Sequence, residues 1–184
     1  MVIFSPTNIP DVIRIRSKVF EDARGFFVET YQKEVFSQGG ITQSFVQDNH
    51  SFSTQWALRG LHYQITHTQG KLVRVITGEI FDVAVDLRRR SPYFGQWVSA
   101  FLSDMNKEQL WIPPGFAHGF LVLSESADVV YKTTDYYDPD GDRTIYWNDP
   151  ELDIAWPIPN GIQPLVSEKD SLGVSFSDAE VFEC

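Results

Sequence analysis

The chain has 184 residues, 42% hydrophobic and 14% aromatic, which suits one folded domain over residues 1–184 and excludes a disordered chain. A formal net charge of −10 argues against partners such as nucleic acid or an anionic membrane, so an anionic ligand needs locally placed Arg and Lys. No window approaches the ~20 apolar residues of a membrane span, and Cys184, the only cysteine, points to a reducing, cytoplasmic setting.

The start, MVIFSPTNIPDVIRI, lacks the basic region, apolar run and cleavage site of a signal peptide, so none is expected. Val12 to Lys18 alternates and reads as a strand; Arg24-Gly25 suits a turn, and Phe26 to Tyr31 another strand. QKEVFSQGG is the clearest helix, short, amphipathic and stopped by Gly39-Gly40. Thr42 to Asn49 is strand-like, with Phe45, Gln47 and Asn49 on one side. Leu58 to Asp86 supplies two or three strands punctuated by Gly70 and Gly78, and the rest of the chain is organised around it. There IFDVAVDL sets Phe81, Val83, Val85 and Leu87 on one face and Ile80, Asp82, Ala84 and Asp86 on the other. Carboxylates in such a run either point to solvent or line a polar pocket. Arg59, His62 and Lys71 close by favour the pocket.

Arg88-Arg89-Arg90 reads as a solvated turn, QWVSAFLS as a strand and LWIP as a short one. PPGFAHGF is a loop running into the strand GFLVLS, and Ala127 to Tyr137 a strand closed by the turn DPDGD. TIYW is a short strand, NDPELDIAWPIPNG is irregular, and the tail is expected to hold a short helix capped by Ser177 or Asp178. Short strands at roughly 8–12-residue spacing indicate one all-β domain, a jelly-roll barrel or sandwich with a few short helices. The near absence of helical periodicity argues against a doubly wound α/β fold.

Pro113-Pro114-Gly115-Phe116-Ala117-His118 has the spacing P-x-G-x-x-H, which resembles the second motif of the cupin superfamily of small jelly rolls. In many cupins that His binds metal with an H-x-H and a Glu of the first motif. The matching Leu61-His62-Tyr63-Gln64 lacks the second His and the acid, a poor transition-metal site, so no metal is expected. On spacing alone, a core histidine hydrogen-bonded to backbone is an equal alternative for His118.

Longer motifs are more specific. FEDARGFFVETY, FVQDNHSFS, LRGLHYQ, QGKLVRVITGEIFDVAVDLRRRSPYFGQW, LWIPPGFAHGFLVLS, YKTTDYYDP, IYWNDPELDIAWP and SEKD together resemble the dTDP-4-dehydrorhamnose 3,5-epimerase family, from Val12 to Asp170. The resemblance implies inversion of C3 and C5, either side of the C4 ketone of dTDP-4-dehydro-6-deoxyglucose. A proton α to a ketone is acidic because the enolate places charge on oxygen. Such catalysis needs a base on one face, a cation near the oxygen and an acid on the other face. It needs no redox cofactor, and the chain has no Gly-rich dinucleotide loop.

His62 is the candidate base, because imidazole exchanges protons near neutrality and a carboxylate can orient it. The resemblance implies Asp170 for that carboxylate, folding the tail over the pocket; Asp82 and Asp86 are the rivals from the central stretch. Lys71 fits the cation and Tyr131 the acid, although an exposed lysine and a core tyrosine are the ordinary fates of those residue types. Arg59 and Arg24 suit the diphosphate, since guanidinium forks match phosphate oxygens. Strict alternation puts Arg59 and His62 on opposite faces, so either Gly60 makes a bulge or they serve different parts of the site. Gln47, Asn49, Glu29 and His118 are candidates for sugar or base contacts, Phe26 and Tyr137 for stacking on thymine. One departure is Asp142, where the family usually has Glu. The alternatives are a relative inverting only C3 or C5, a non-catalytic nucleotide-sugar-binding cupin, and a metal cupin. A homodimer is what the resemblance implies.

Overall fold

Two antiparallel sheets face one another in the computed structural model, which describes residues 1–184. The first strands are β1 (Ile3–Pro6), β2 (Ile13–Arg16), β3 (Val19–Asp22) and β4 (Gly25–Val28), followed by helix α1 (Lys33–Gln38). Next come β5 (Gln47–Thr54), β6 (Leu58–Gln64), β7 (Lys71–Thr77) and β8 (Glu79–Asp86). Then follow β9 (Trp97–Ser103), β10 (Glu108–Ile112), β11 (Phe116–Val122), β12 (Ser126–Thr133) and β13 (Asp142–Thr144), and last helix α2 (Glu168–Ser171). One sheet runs β1-β2-β10-β7-β12-β5, the other β13-β6-β11-β8-β9. Strands β3 and β4 form a separate hairpin. The non-sequential order is that of a jelly roll, and the all-β expectation holds.

Three apolar layers fix this arrangement. Val73, Val75 and Val129 of one sheet meet Ile80, Ala84 and Phe120 of the other to form the central core. The outward faces of β8 and β11 do not meet water: Phe81, Val83, Val85 and Leu121 pack under Ile145, Leu152, Trp156 and Phe176. The irregular C-terminal chain is therefore a third layer. On the other side, Phe36 of α1 and Ile41 cover Ile15, Leu72 and Trp111. Each fully buried Leu, Ile or Phe contributes roughly 1.5–3 kcal/mol of hydrophobic stabilisation.

The IFDVAVDL alternation is as read, but both faces are buried, so Asp82 and Asp86 are at 0% exposure rather than in solvent. Several boundaries move. Strand β5 starts at Gln47, not Thr42, because Phe45 leaves the sheet to pack edge-on against Tyr31 and Trp111. Strand β11 begins at Phe116, inside the segment read as loop, and β12 ends at Thr133, short of Tyr137. The last strand is Asp142–Thr144 rather than TIYW. The tail helix is α2, capped by Ser167, whose hydroxyl accepts from the Asp170 N–H. Ser177 and Asp178 lie within the short 3-10 turn Phe176–Asp178 and cap no helix. The capping signal was Ser167 three residues before Asp170, the S-x-x-D spacing. Arg88 is not a solvated turn residue: it binds both oxygens of Asp86 and reaches Asp11 at 2.7 Å.

Candidate active site

A cavity of about 250 Å³ opens between the sheets and is lined by residues from both. His62 (β6) and His118 (β11) enter from the five-stranded sheet, Lys71 (β7) and Tyr131 (β12) from the six-stranded one. Arg59 lines it as well. This is possible because β6 carries one extra residue against β11: His62 faces His118, yet Arg59 already faces Phe120. The bulge at Gly60-Leu61 brings Arg59 and His62 to the same cavity and answers the alternation problem. Glycine is required there. Gly60 has φ +111°, and a Cβ on it would sit 2.6 Å from Gly119 Cα and the His118 carbonyl oxygen.

His62 Nε2 is bonded to Asp170 Oδ1, as the tail folds back and α2 presents its carboxylate to β6. Burial alone would raise the Asp170 carboxyl. Hydrogen bonds from His62, Ser167 and the Gly60 backbone outweigh it and hold the group below the usual carboxylate range. The His62 side chain is 31% exposed and Asp170 4%, so the pair opens at the imidazole end. With Nε2 on Asp170, Nδ1 is left for a substrate.

Lys71 lies at the cavity floor, its ammonium 3.4 Å from the His62 carbonyl oxygen. Burial pulls it down to about 8, against the charges of Asp142 and Asp82. Burial pushes the Tyr131 phenol up, partly countered by Arg59. Its hydroxyl therefore stays protonated at neutral pH, as a proton donor must.

The other expected contacts divide. Tyr137 lines the cavity, but from the turn beyond β12, its backbone N–H held by Gln47 Oε1 at 3.2 Å. Gln47 in turn donates to Asn49 Oδ1 at 2.9 Å, and Asn49 stands opposite Tyr131 in the β5–β12 pairing, but neither side chain lines the cavity itself. Arg24, Phe26 and Glu29 are not brought to the site within one chain. Hairpin β3–β4 joins neither sheet: Arg24 folds back on Asp22 at 2.6 Å, and Phe26, 58% exposed, lies under the Lys107 ammonium. Glu29 lines a different cavity with Phe4, Lys18 and Phe27. Asp82 and Asp86 do not orient His62; Asp82 accepts from His118 Nε2 at 2.8 Å, and Asp86 takes Arg88 and Ser91.

Lys169 was missed. It lines the cavity and pairs with Asp142, which also accepts from the Tyr137 hydroxyl at 3.1 Å. Its signal was its place beside Asp170 in SEKD, once that tail is known to fold over the pocket. No three His, Cys, Asp or Glu side chains cluster as a metal site would require, and each cavity histidine already holds an aspartate.

A sequence model of the dTDP-4-dehydrorhamnose 3,5-epimerase family matches residues 6–178. The dTDP-4-dehydrorhamnose 3,5-epimerase of Pseudomonas aeruginosa is 59% identical over 95% of this chain and 96% of its own. That of Shigella flexneri is 54% identical over 96% and 97%. Among solved structures, dTDP-6-deoxy-D-glucose-3,5-epimerase from Legionella pneumophila, in complex with dTDP-4-keto-L-rhamnose, superposes with a TM-score of 0.94. It shares 49% identity and covers 98% of this chain and 95% of that one. With that agreement over nearly its whole length, the chain belongs to the dTDP-4-dehydrorhamnose 3,5-epimerase family.

Proposed function

We propose that the chain epimerises dTDP-4-dehydro-6-deoxy-D-glucose at C3 and C5 to dTDP-4-dehydro-L-rhamnose, the isomerase step of dTDP-L-rhamnose biosynthesis. The observation that carries this reading is convergence: His62 on Asp170, Lys71 and Tyr131 reach one cavity from three strands. His62 Nδ1 takes the proton from the carbon beside the ketone. The electron pair moves onto the C4 oxygen, where the Lys71 ammonium offsets the charge. The Tyr131 phenol returns a proton to the opposite face, which inverts the centre, and regains its own from solvent. Every proton lost is replaced, so the step needs no oxidant or reductant.

Arg59 suits the diphosphate at the mouth, and Tyr137 the thymine ring. Arg24, Phe26 and Glu29 support the reading only if a second copy supplies them, and we propose a homodimer on that ground. Phe20, Phe26 and Phe27 are exposed on the free hairpin, and β5 is an edge strand beside the cavity. We propose a cytoplasmic setting from the single cysteine.

Proton NMR of dTDP-4-dehydro-6-deoxyglucose with the purified protein in D2O tests the function. Deuterium at both C3 and C5, abolished in His62→Ala, is the expected result. Exchange at one carbon means a narrower epimerase, and intact binding without exchange means a binding protein.

A further inference from the structure

Asp82 is a fully buried carboxylate beneath the cavity that the reaction above does not use. It projects from β8 between the sheets, where its same-face neighbours Ile80 and Ala84 belong to the apolar core. Removing a carboxylate from water there is costly unless strong partners offset it. Asp86, two residues on, has such partners: Arg88, its own loop N–H and Ser91 use both oxygens. Asp82 has only half. Oδ2 accepts from His118 Nε2 at 2.8 Å, and Oδ1 has no hydrogen-bond partner. Lys71 is buried as well, is favoured in its charged form by Asp142 and Asp82, and forms only one long hydrogen bond.

We propose that Asp82 is a positioning residue for the proton transfers: it fixes the His118 ring through Nε2 so that Nδ1 meets the substrate, and its unpartnered oxygen supplies the counter-charge that keeps Lys71 an ammonium inside the barrel. The inference rests on the epimerase reading of this cavity. It gives a buried aspartate two effects that a packing role would lack. His118 is held as the Nε2–H tautomer, with the Nδ1 lone pair free to accept from a substrate hydroxyl. The charge on Lys71 depends on a group that never touches substrate.

The groups around Lys71 set the sign. Asp82 on β8 and Asp142 on β13 favour the ammonium, while burial and Lys169 on α2 oppose it. His62 and Asp170, Tyr131, His118 and Arg59 complete the charged and titratable lining of the site. Asp82→Asn leaves Asp142 as the carboxylate favouring the charge, so Lys71 loses its proton at lower pH. The alkaline limb of kcat, expected near pH 8 in the parent protein, should move down by about one unit. The loss therefore grows with pH, from a few-fold at pH 6 to more than tenfold at pH 8. KM should change less than about threefold, because Asp82 does not contact the ligand.

The experiment is kcat and KM for parent and Asp82→Asn between pH 6 and 9.5, by the D2O exchange assay. A lower rate with the limb unmoved is what loosened packing alone gives, and it overturns the proposal. Nitrogen-15 NMR of the parent protein, with the His118 signal assigned by its loss in His118→Asn, gives a reading independent of whether Asp82→Asn folds. A protonated Nε2 is expected, and a protonated Nδ1 overturns the proposal. A parent protein that exchanges neither carbon overturns the epimerase reading, while an active parent with an unmoved limb overturns the role of Asp82 alone.

Discussion

His62 and His118 stand opposite each other in the β6–β11 pairing, and each gives Nε2 to an aspartate, but the aspartates arrive by different routes. Asp82 comes from β8, the strand next to β11, and both members of its pair are buried. A continuous ladder holds that pair and leaves it no freedom to move. Asp170 comes from α2 in the tail, and its histidine is open to the cavity. A base must meet substrate and exchange protons with solvent, so the open pair suits proton abstraction and the closed pair suits the floor. Identical residue pairs thus acquire different work from how the chain delivers the carboxylate. The tail-delivered pair also depends on the docking of a whole C-terminal layer.

The largest effect is expected from removing the open imidazole. His62→Ala should lower exchange at both carbons by about 10³–10⁴-fold, since the base itself is lost. Asp170→Asn keeps the imidazole and its contact geometry but not the charge behind it, and should cost about 10–100-fold less than loss of the imidazole. Equal losses in the two variants, measured by the same exchange assay, would show that the carboxylate rather than the imidazole limits the chemistry. Tyr131→Phe sharpens the other face. Without the phenol, His62 still removes the proton and can return a deuteron to the same side. Exchange should therefore continue while inversion falls about 10²-fold, read as deuterated but uninverted sugar.

The tail is the next target, because the open pair needs it. Asp149 is buried and ties two distant segments: Oδ1 accepts from the N–H groups of Glu151 and Leu152, and Oδ2 from that of Phe176 at 2.8 Å. Asp149→Ala strands those donors, at about 1–3 kcal/mol for a buried one. Thermal or urea unfolding should show a loss of about 2–4 kcal/mol. Hydrogen exchange should rise first around residues 165–184. A loss spread evenly over the barrel would mean that the third layer is not a separate support for Asp170.

How far the sequence carried this site follows the same division. The strands were readable where one face is apolar and alternation is uninterrupted, as in IFDVAVDL. His62, Lys71, His118 and Tyr131, which line one cavity, were brought together by the family motifs and not by alternation: β6 carries the bulge, and the His118 segment reads as a loop. The β6 bulge could be posed only as an alternative, because alternation carries no information about an inserted residue until the partner strand is known. Asp170 and Lys169 were beyond local pattern altogether: α2 has four residues, and its position depends on apolar contacts made by Phe176, Leu152 and Ile145 far along the chain. The partner of Asp82 was missed because His118 pairs with it across the ladder, a contact that no spacing within either segment announces.

The smallest expected effect concerns acid. In the folded chain the Asp170 carboxyl is held below its ordinary range, which in an unfolded chain lies near ~4. A group depressed in this way contributes stability that is present in full above the unfolded value. The contribution fades as pH falls through the lower, folded value. Asp170→Asn replaces the charge-assisted hydrogen bond to His62 with a neutral one, at about 1–2 kcal/mol near neutrality. Parent and variant should therefore differ in unfolding midpoint at pH 6–7 and converge as the pH drops below ~4. His118 and Asp82 provide the internal control, because Asp170→Asn leaves that pair untouched in the barrel. A gap that stays constant down to pH 3 would mean that the Asp170 contribution comes from packing of α2 rather than from its charge. The tail would then owe its place to the apolar layer alone, and the open pair would be a consequence of docking rather than a cause of it.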